Sequence, residues 1–513
     1  MAETSGKADA PMNGAPADPF EWLEVIEGDA ALDWVRAENT RSKGEIEADP
    51  RFPVFKDTML EILNAEDRIP YGSVRDGFVY NFWQDEMNVR GVWRRTPLES
   101  YKTDAPDWET LLDIDALAKA EDENWVYEGV DCLEPDNTRC LVALSRGGTD
   151  ASVIREFDLP SKSFVDGGFM IPEAKSGYAW ESDASLLVGT DWTGDGATVT
   201  DSGYPRIVKR VARGQALDEA ETVFEGEQTD VGVWPAAVSV PGERFMAIVR
   251  AVSFFETEYY FVTPEGPKRL PLPKRVDIAG YWEGELLLTL QADWTFDEGK
   301  TLPAGALASF PVAAYLAGEE ARPQILYEPG ARASIQSVDL SGGRIILGLI
   351  DNVIGKVLIG EKGPEGWAFA PAKVPSNSTL SVVFASAFET PVFVNYETMT
   401  EPDTLALLDL ETGALSALKS LPARFDPEGL TVSQFEATSA DGTKIPYFAL
   451  APAGQTEPAP ALLYGYGGFQ ISMKPSYSAT IGKLWAGNGG VYLLANIRGG
   501  GEFGPAWHEA ARR

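Results

Sequence analysis

The chain has 513 residues, and 78 Asp plus Glu against 43 Lys plus Arg give it a formal net charge of −35. So acidic a surface repels phosphate backbones and anionic lipid headgroups, which argues against nucleic acid and membrane surfaces as partners. One hydrophobic core stops growing at about 250–300 residues, so two or more domains or a repeat architecture are expected, and no run approaches the roughly 18 apolar residues of a membrane span.

Residues 1–17 are small and polar, read as a disordered lead, and contain no apolar h-region; a cytoplasmic location is the expectation. From Asp18 the pattern turns helical. "GDAALDWVRAENTRSKGEIE" predicts one helix, with Asp29 as its N-cap and Leu32 with Trp34 or Val35 facing inward. In "RFPVFKDTMLEIL", Phe52, Phe55, Met59, Leu60 and Leu63 recur at three- and four-residue spacing and form one apolar helix face. Neither helix is long enough to fold alone, so both are expected to pack on something distant in sequence.

Over residues 71–424 the chain breaks into short strands separated by Gly, Pro, Asp and Asn turns. Seven apolar runs, "GFVYNFW", "RCLVALS", "SLLVGTDW", "RFMAIVRAV", "ELLLTLQADW", "RIILGLID" and "PVFVNYE", recur at intervals near those of β-propeller blades, which take about 40–50 residues each. Seven is the natural count. Cys132 and Cys140 fall in one predicted hairpin and are close enough to pair, but two cysteines make no disulfide framework, and buried free thiols are the plainer expectation.

Beyond "FDPEG" the pattern shifts again. "LTVSQFEATSADGTKIPYFALAP" alternates about the hairpin turn Asp441-Gly442, and two unbroken apolar runs follow, "APALLYGY" and "GGVYLLANIR". Runs without alternation predict strands buried on both faces, as in the sheet of an α/β domain, with the segment between them as the crossover. Residues 458–513 carry five basic and two acidic side chains, unlike the rest of the chain.

Chemistry concentrates in this last stretch. In "LLYGYGGFQIS" a strand runs into Gly465, Tyr466, Gly467, Gly468 and Phe469, where glycines admit positive φ and expose backbone N–H groups. Such a loop after an early strand supplies part of the oxyanion hole in α/β-hydrolases, with the Tyr466 hydroxyl as a further donor; an ordinary tight turn fits the local pattern equally well. "RGGGEFG" matches G-x-G-x-x-G at Gly499, Gly501 and Gly504, with Pro505 set to start a helix. A dinucleotide site needs an acidic residue about 20 positions on, at the end of a second strand. His508, the single histidine, has no second histidine or cysteine cluster beside it for a metal and no G-x-S-x-G in the chain to act on, so packing is its expected role. "DWTGDGATVTDSG" lacks the ligands of a calcium loop at Thr193 and Ser202. No cofactor and no metal are expected.

Together these segments resemble the prolyl oligopeptidase family of serine peptidases, in particular its bacterial members. "DPFEWLE" is similar to the family's N-terminal motif, "NFWQD" and "SGYPR" to its propeller motifs, and "LLYGYGGF" with "NIRGGGEFG" and "AWH" to the start of its hydrolase domain. The resemblance implies a mainly β fold: a seven-bladed propeller over 71–424, inserted into an α/β-hydrolase domain built from helices in 18–70 and first strands in 425–513, and incomplete at its C-terminus. It implies cleavage of short peptides, typically after proline, with access gated by the propeller. Tyr466 takes the place of the side-chain oxyanion donor and Phe469 that of a lining residue in the pocket for the residue before the scissile bond. The family's Ser, Asp and His follow the "WH" motif and have no counterpart here, and His508 matches a non-catalytic histidine. These residues alone are therefore expected to be inactive and poorly soluble. A propeller scaffold or pseudoenzyme, and a related hydrolase acting on acylated N-termini or dipeptides, stay open as other readings.

Overall fold

The computed structural model describes residues 18–512, which fall into two compact units divided between Ala65 and Glu66. In the first unit both expected helices form, as Asp29–Ile46 and Phe52–Leu63. Gly28 rather than Asp29 takes the N-cap position, since Asp29 already has helical geometry. The apolar stripes are open: Trp34, Val35, Met59, Leu60 and Leu63 are exposed, and only Ala31 is buried. Trp22 meets Trp34 edge to face at 6.5 Å.

The second unit begins with seven antiparallel sheets in chain order, spanning 73–113, 125–174, 177–225, 232–269, 276–327, 333–371 and 379–420. Six have four strands, that of 276–327 with a separate two-stranded hairpin, Trp294–Phe296 and Lys300–Leu302, inserted in its span; that of 125–174 carries a fifth strand, Met170–Ala174, against Ser152–Asp158. The seven apolar runs read from sequence are the second strands, among them Arg139–Arg146, Glu285–Leu290 and Arg344–Asp351. A second strand has a neighbour on each side and a packed sheet above and below, which is why it is apolar nearly throughout.

The sheets pack face to face in cyclic order. Leu141 and Ile154 meet Trp180 and Leu186 between the second and third sheets. Phe245 meets Leu286 and Leu288 between the fourth and fifth. The last interface joins the ends of this region: Val74, Val79 and Tyr101 of the first sheet and its flank pack against Phe393 and Leu405 of the seventh. Cys132 and Cys140 lie directly opposite on neighbouring strands and are disulfide-bonded, which corrects the free-thiol expectation. Strand register places their side chains on one face of the hairpin, a fact that spacing alone does not carry.

After the seventh sheet, the chain forms a mixed sheet ordered Leu430–Thr438, Lys444–Pro452, Val491–Ala495, Ala461–Gly465. The last two strands pair in parallel, joined by a crossover with short helical turns at Ile481–Trp485 and Ala486–Asn488. Phe448, Leu450, Ala486 and Leu494 form a core with Val353 and Met399 from turns of the sixth and seventh sheets. Both apolar runs are strands, as expected, but Ala461–Gly465 is exposed along its whole length because it lies at the sheet edge, with Leu463 67% exposed. Among the described residues no helix is long and apolar enough to cross a membrane.

Candidate active site

At the carboxyl end of Ala461–Gly465, the place where open α/β sheets bind ligands, the chain enters Tyr466-Gly467-Gly468-Phe469. Here the glycines are required by contact as well as by φ. A Cβ on Gly467 would lie 2.5 Å from the Arg498 carbonyl oxygen, and one on Gly499, where φ is +99°, would lie 1.9 Å from the Gly467 oxygen. The two glycine loops thus cross backbone on backbone. Phe469 and Gln470 are held in left-handed conformation, with φ of 53° and 60°, at a cost of order 1 kcal/mol each. Backbone hydrogen bonds from Gln470 N to Gly499 O (3.2 Å) and from Ile471 N to Gly468 O (3.1 Å) hold them there. The outcome is a pair of presented aromatics: Tyr466, whose ring folds over Gly468, and Phe469, which is 59% exposed.

The second loop is locked from below. Gly504 precedes the short helix Pro505–Glu509, and Pro505 opens it as expected. His508 is buried, and its Nδ1 lies 2.7 Å from the Gly499 carbonyl, to which it donates in that tautomer. Trp507 donates through Nε1 to Ile497 O at 3.1 Å. The histidine therefore buttresses the glycine crossing, in agreement with a packing role. Glu502 is fully buried; its Oε1 accepts from Met473 N (2.9 Å) and Asn496 Nδ2 (3.3 Å), and burial pushes its carboxyl above the usual range. Asn496, also fully buried, donates to Met473 O at 2.6 Å. One carboxyl thus ties the end of Val491–Ala495, the Tyr466 loop and its own loop together.

Sheets four to seven press one rim against this assembly. The turn between Glu243–Ser253 and Glu256–Thr263 brings Phe254 to 5.3 Å from Phe469 and Phe255 to 5.3 Å from His508, ring to ring. Gln470 Nε2 donates to Gln291 Oε1 at 2.8 Å, Ser334 Oγ to Glu502 O at 3.2 Å, and Arg275 pairs with Glu509 at 2.7 Å. Thr379 Oγ1 donates to Pro475 O at 2.7 Å and Tyr477 N to Glu397 Oε2 at 2.7 Å. Burial, reinforced by the Asp403 charge, pushes the Glu397 carboxyl up to about 7. Phe254, Glu397, Lys474, Asn496 and Glu502 are absent from the sequence reading. Glu502 stands inside the glycine motif as its only acid, but its burial depends on Met473 and Asn496; the others carry no local signal.

A rim of antiparallel sheets in cyclic order, docked on a mixed sheet whose strand ends present glycine loops, is the arrangement of a propeller-bearing protein. The family model described as "Prolyl oligopeptidase, N-terminal beta-propeller domain" matches residues 1–420. An uncharacterized peptidase of Sinorhizobium fredii is 42% identical over 504 residues, covering 96% of this chain and 69% of its own length. A prolyl endopeptidase of Elizabethkingia miricola is 23% identical over 503 residues, covering 97% of this chain and 68% of that protein. Among solved structures, a post-proline cleaving enzyme from Rickettsia typhi superposes with a TM-score of 0.86 at 29% identity, over 96% of this chain and 73% of that one. The chain belongs to the prolyl oligopeptidase family.

Proposed function

We propose that these residues form the propeller and the oxyanion side of a serine peptidase that cleaves short peptides, with a preference for cleavage after proline. On this reading the seven sheets of 71–424 are the blades of one propeller, and residues 18–70 and 425–513 are parts of one α/β-hydrolase domain, a reading supported by the parallel strand pair of the mixed sheet. Tyr466 donates its hydroxyl to the developing oxyanion. Phe469 lines the pocket for the residue before the scissile bond. The observation that carries the reading is the pair of crossed glycine loops, which spends backbone strain at Phe469 to present both side chains at a strand's carboxyl end. The relatives named above, a peptidase and two post-proline enzymes, support the reaction class.

No G-x-S-x-G occurs in the 513 residues, and the single histidine is used in packing. On this reading the nucleophile and base are not among these residues, and a polypeptide of these residues alone is expected to be inactive on peptides; an oxyanion hole without a triad retains only about 10³–10⁴ over water. The test is the full-length protein on proline-containing fluorogenic peptides. Tyr466→Phe is expected to lower kcat about 10²–10³-fold with little change in KM, the usual cost of one oxyanion donor. An unchanged kcat removes Tyr466 from that role, and hydrolysis of N-acylated peptides in preference to proline peptides moves the protein to the neighbouring specificity.

A further inference from the structure

A cavity of about 380 Å³ lies between strands of the fifth and sixth sheets and the two glycine loops. Its polar lining includes the hydroxyls of Thr289 and Ser472 and the amides of Gln291, Gln336 and Gln470. Among the described residues, Lys474 is the one cation in the lining, and no Asp or Glu lines it. In a chain of net charge −35, the recess beside the candidate site thus has a lysine as its one charged lining residue, with Glu397 and Asp277, which accepts from Gln291 at 2.7 Å, behind the lining.

Lys474 is also under-compensated. It makes no salt bridge to a described residue, and its facing counter-charge, Glu397, lies outside the lining and already accepts the Tyr477 N–H. Burial lowers the ammonium's proton affinity and Glu397 partly restores it, the behaviour of a cation short of a partner. An anion entering the recess would recover that interaction in a medium less polar than water, while the hydroxyls and amides match the donors and acceptors of a peptide backbone.

We infer that the recess is a subsite that takes a carboxylate of the bound peptide through Lys474. The inference rests on the peptide-binding reading of the site. The carboxylate comes either from an Asp or Glu side chain or from the C-terminus of a short peptide. In both cases Lys474 sets which peptides bind well without touching the scissile bond.

The test measures binding and cleavage separately on the full-length protein. Fluorescein-labelled hexapeptides with a single proline carry Glu, Gln or Lys at each other position in turn, with a free or amidated C-terminus, and are titrated by fluorescence anisotropy at low and high salt. One carboxylate arm, side-chain or terminal, is expected to bind on the order of tenfold more tightly than its neutral counterpart, about 1.4 kcal/mol, and less so at high salt. Lys474→Met should abolish that difference, Lys474→Arg should keep it, and Lys474→Glu should move the preference to the Lys peptides. Equal binding of charged and neutral peptides by the wild type, or a preference that survives in Lys474→Met, overturns the subsite. A wild type that binds with the carboxylate preference but cleaves nothing refutes the peptidase reading and leaves the subsite standing. Lys474→Arg also controls for folding, since it keeps charge and length.

Discussion

Glu502 shows how much one side chain can hold. It is fully buried, pairs with Met473 N and Asn496 Nδ2, and leaves Oε2 without a partner among the described residues. Burial favours its neutral form, so the amide of Glu502→Gln replaces it with little loss, and stability should stay within about 1 kcal/mol of the wild type in urea denaturation. Glu502→Ala instead strands the Met473 N–H and the Asn496 amide beside a new cavity, and is expected to cost about 2–4 kcal/mol. A Gln variant as unstable as the Ala variant would show that the carboxylate charge itself is required. Sequence reading found the glycines around Glu502, but the crossing at Gly467 and Gly499 that only glycine tolerates came from the structure. It assigned His508 to packing for want of partners, and the bond to Gly499 O supplies the reason.

Between elements, the segment after the Tyr466 loop is fastened to the seventh sheet through Thr379 and Glu397. The Glu397 carboxyl sits near 7 mainly because of burial, with Asp403 adding to the effect and the Tyr477 N–H and Lys474 opposing it. A carboxyl whose folded pKa lies above its ordinary 4.5 binds an extra proton in the folded state between those values. Its contribution to stability is therefore whole below about pH 4.5, falls as pH rises to about 7, and levels off above. Glu397→Gln cannot ionise and still accepts the Tyr477 N–H; it should be more stable than the wild type by about 1–2 kcal/mol near pH 8, with the gap closing toward pH 4.5, as read from thermal melts across pH. Parallel pH profiles for the two proteins would refute this. Strands that are central in their sheets were legible because two-sided burial makes them apolar. Ala461–Gly465 was read as buried for the same reason, yet its place at the edge leaves it open.

In the second unit as a whole, closure of the seven-sheet series depends on contacts between its two ends. Tyr101 and Phe393 stack at 5.8 Å, and Phe393 is fully buried in the cluster that joins the first sheet to the seventh. Phe393→Ala removes that plug at the most non-local interface of the series, and should cost about 3–5 kcal/mol by urea denaturation. The same truncation at Phe435, which is 50% exposed on the mixed sheet, should cost far less. Equal losses at the two positions would mean that the end-to-end interface contributes nothing special. Pairing residues about 290–330 positions apart also carries a large loop-closure cost, so folding is expected to be slow relative to stability.

Composition, the spacing of apolar runs and the glycine motifs were enough to identify the repeated β architecture, the change of pattern near residue 425 and the loops that carry Tyr466 and Phe469, because each is a property of a few neighbouring residues. The cystine between Cys132 and Cys140, the burial of Glu502, the approach of Phe254 to Phe469 and the recess around Lys474 depend on residues brought together from distant parts of the chain. Strand register and sheet-to-sheet packing create those neighbours, and burial and charge at a side chain are set by neighbours rather than by its place in sequence.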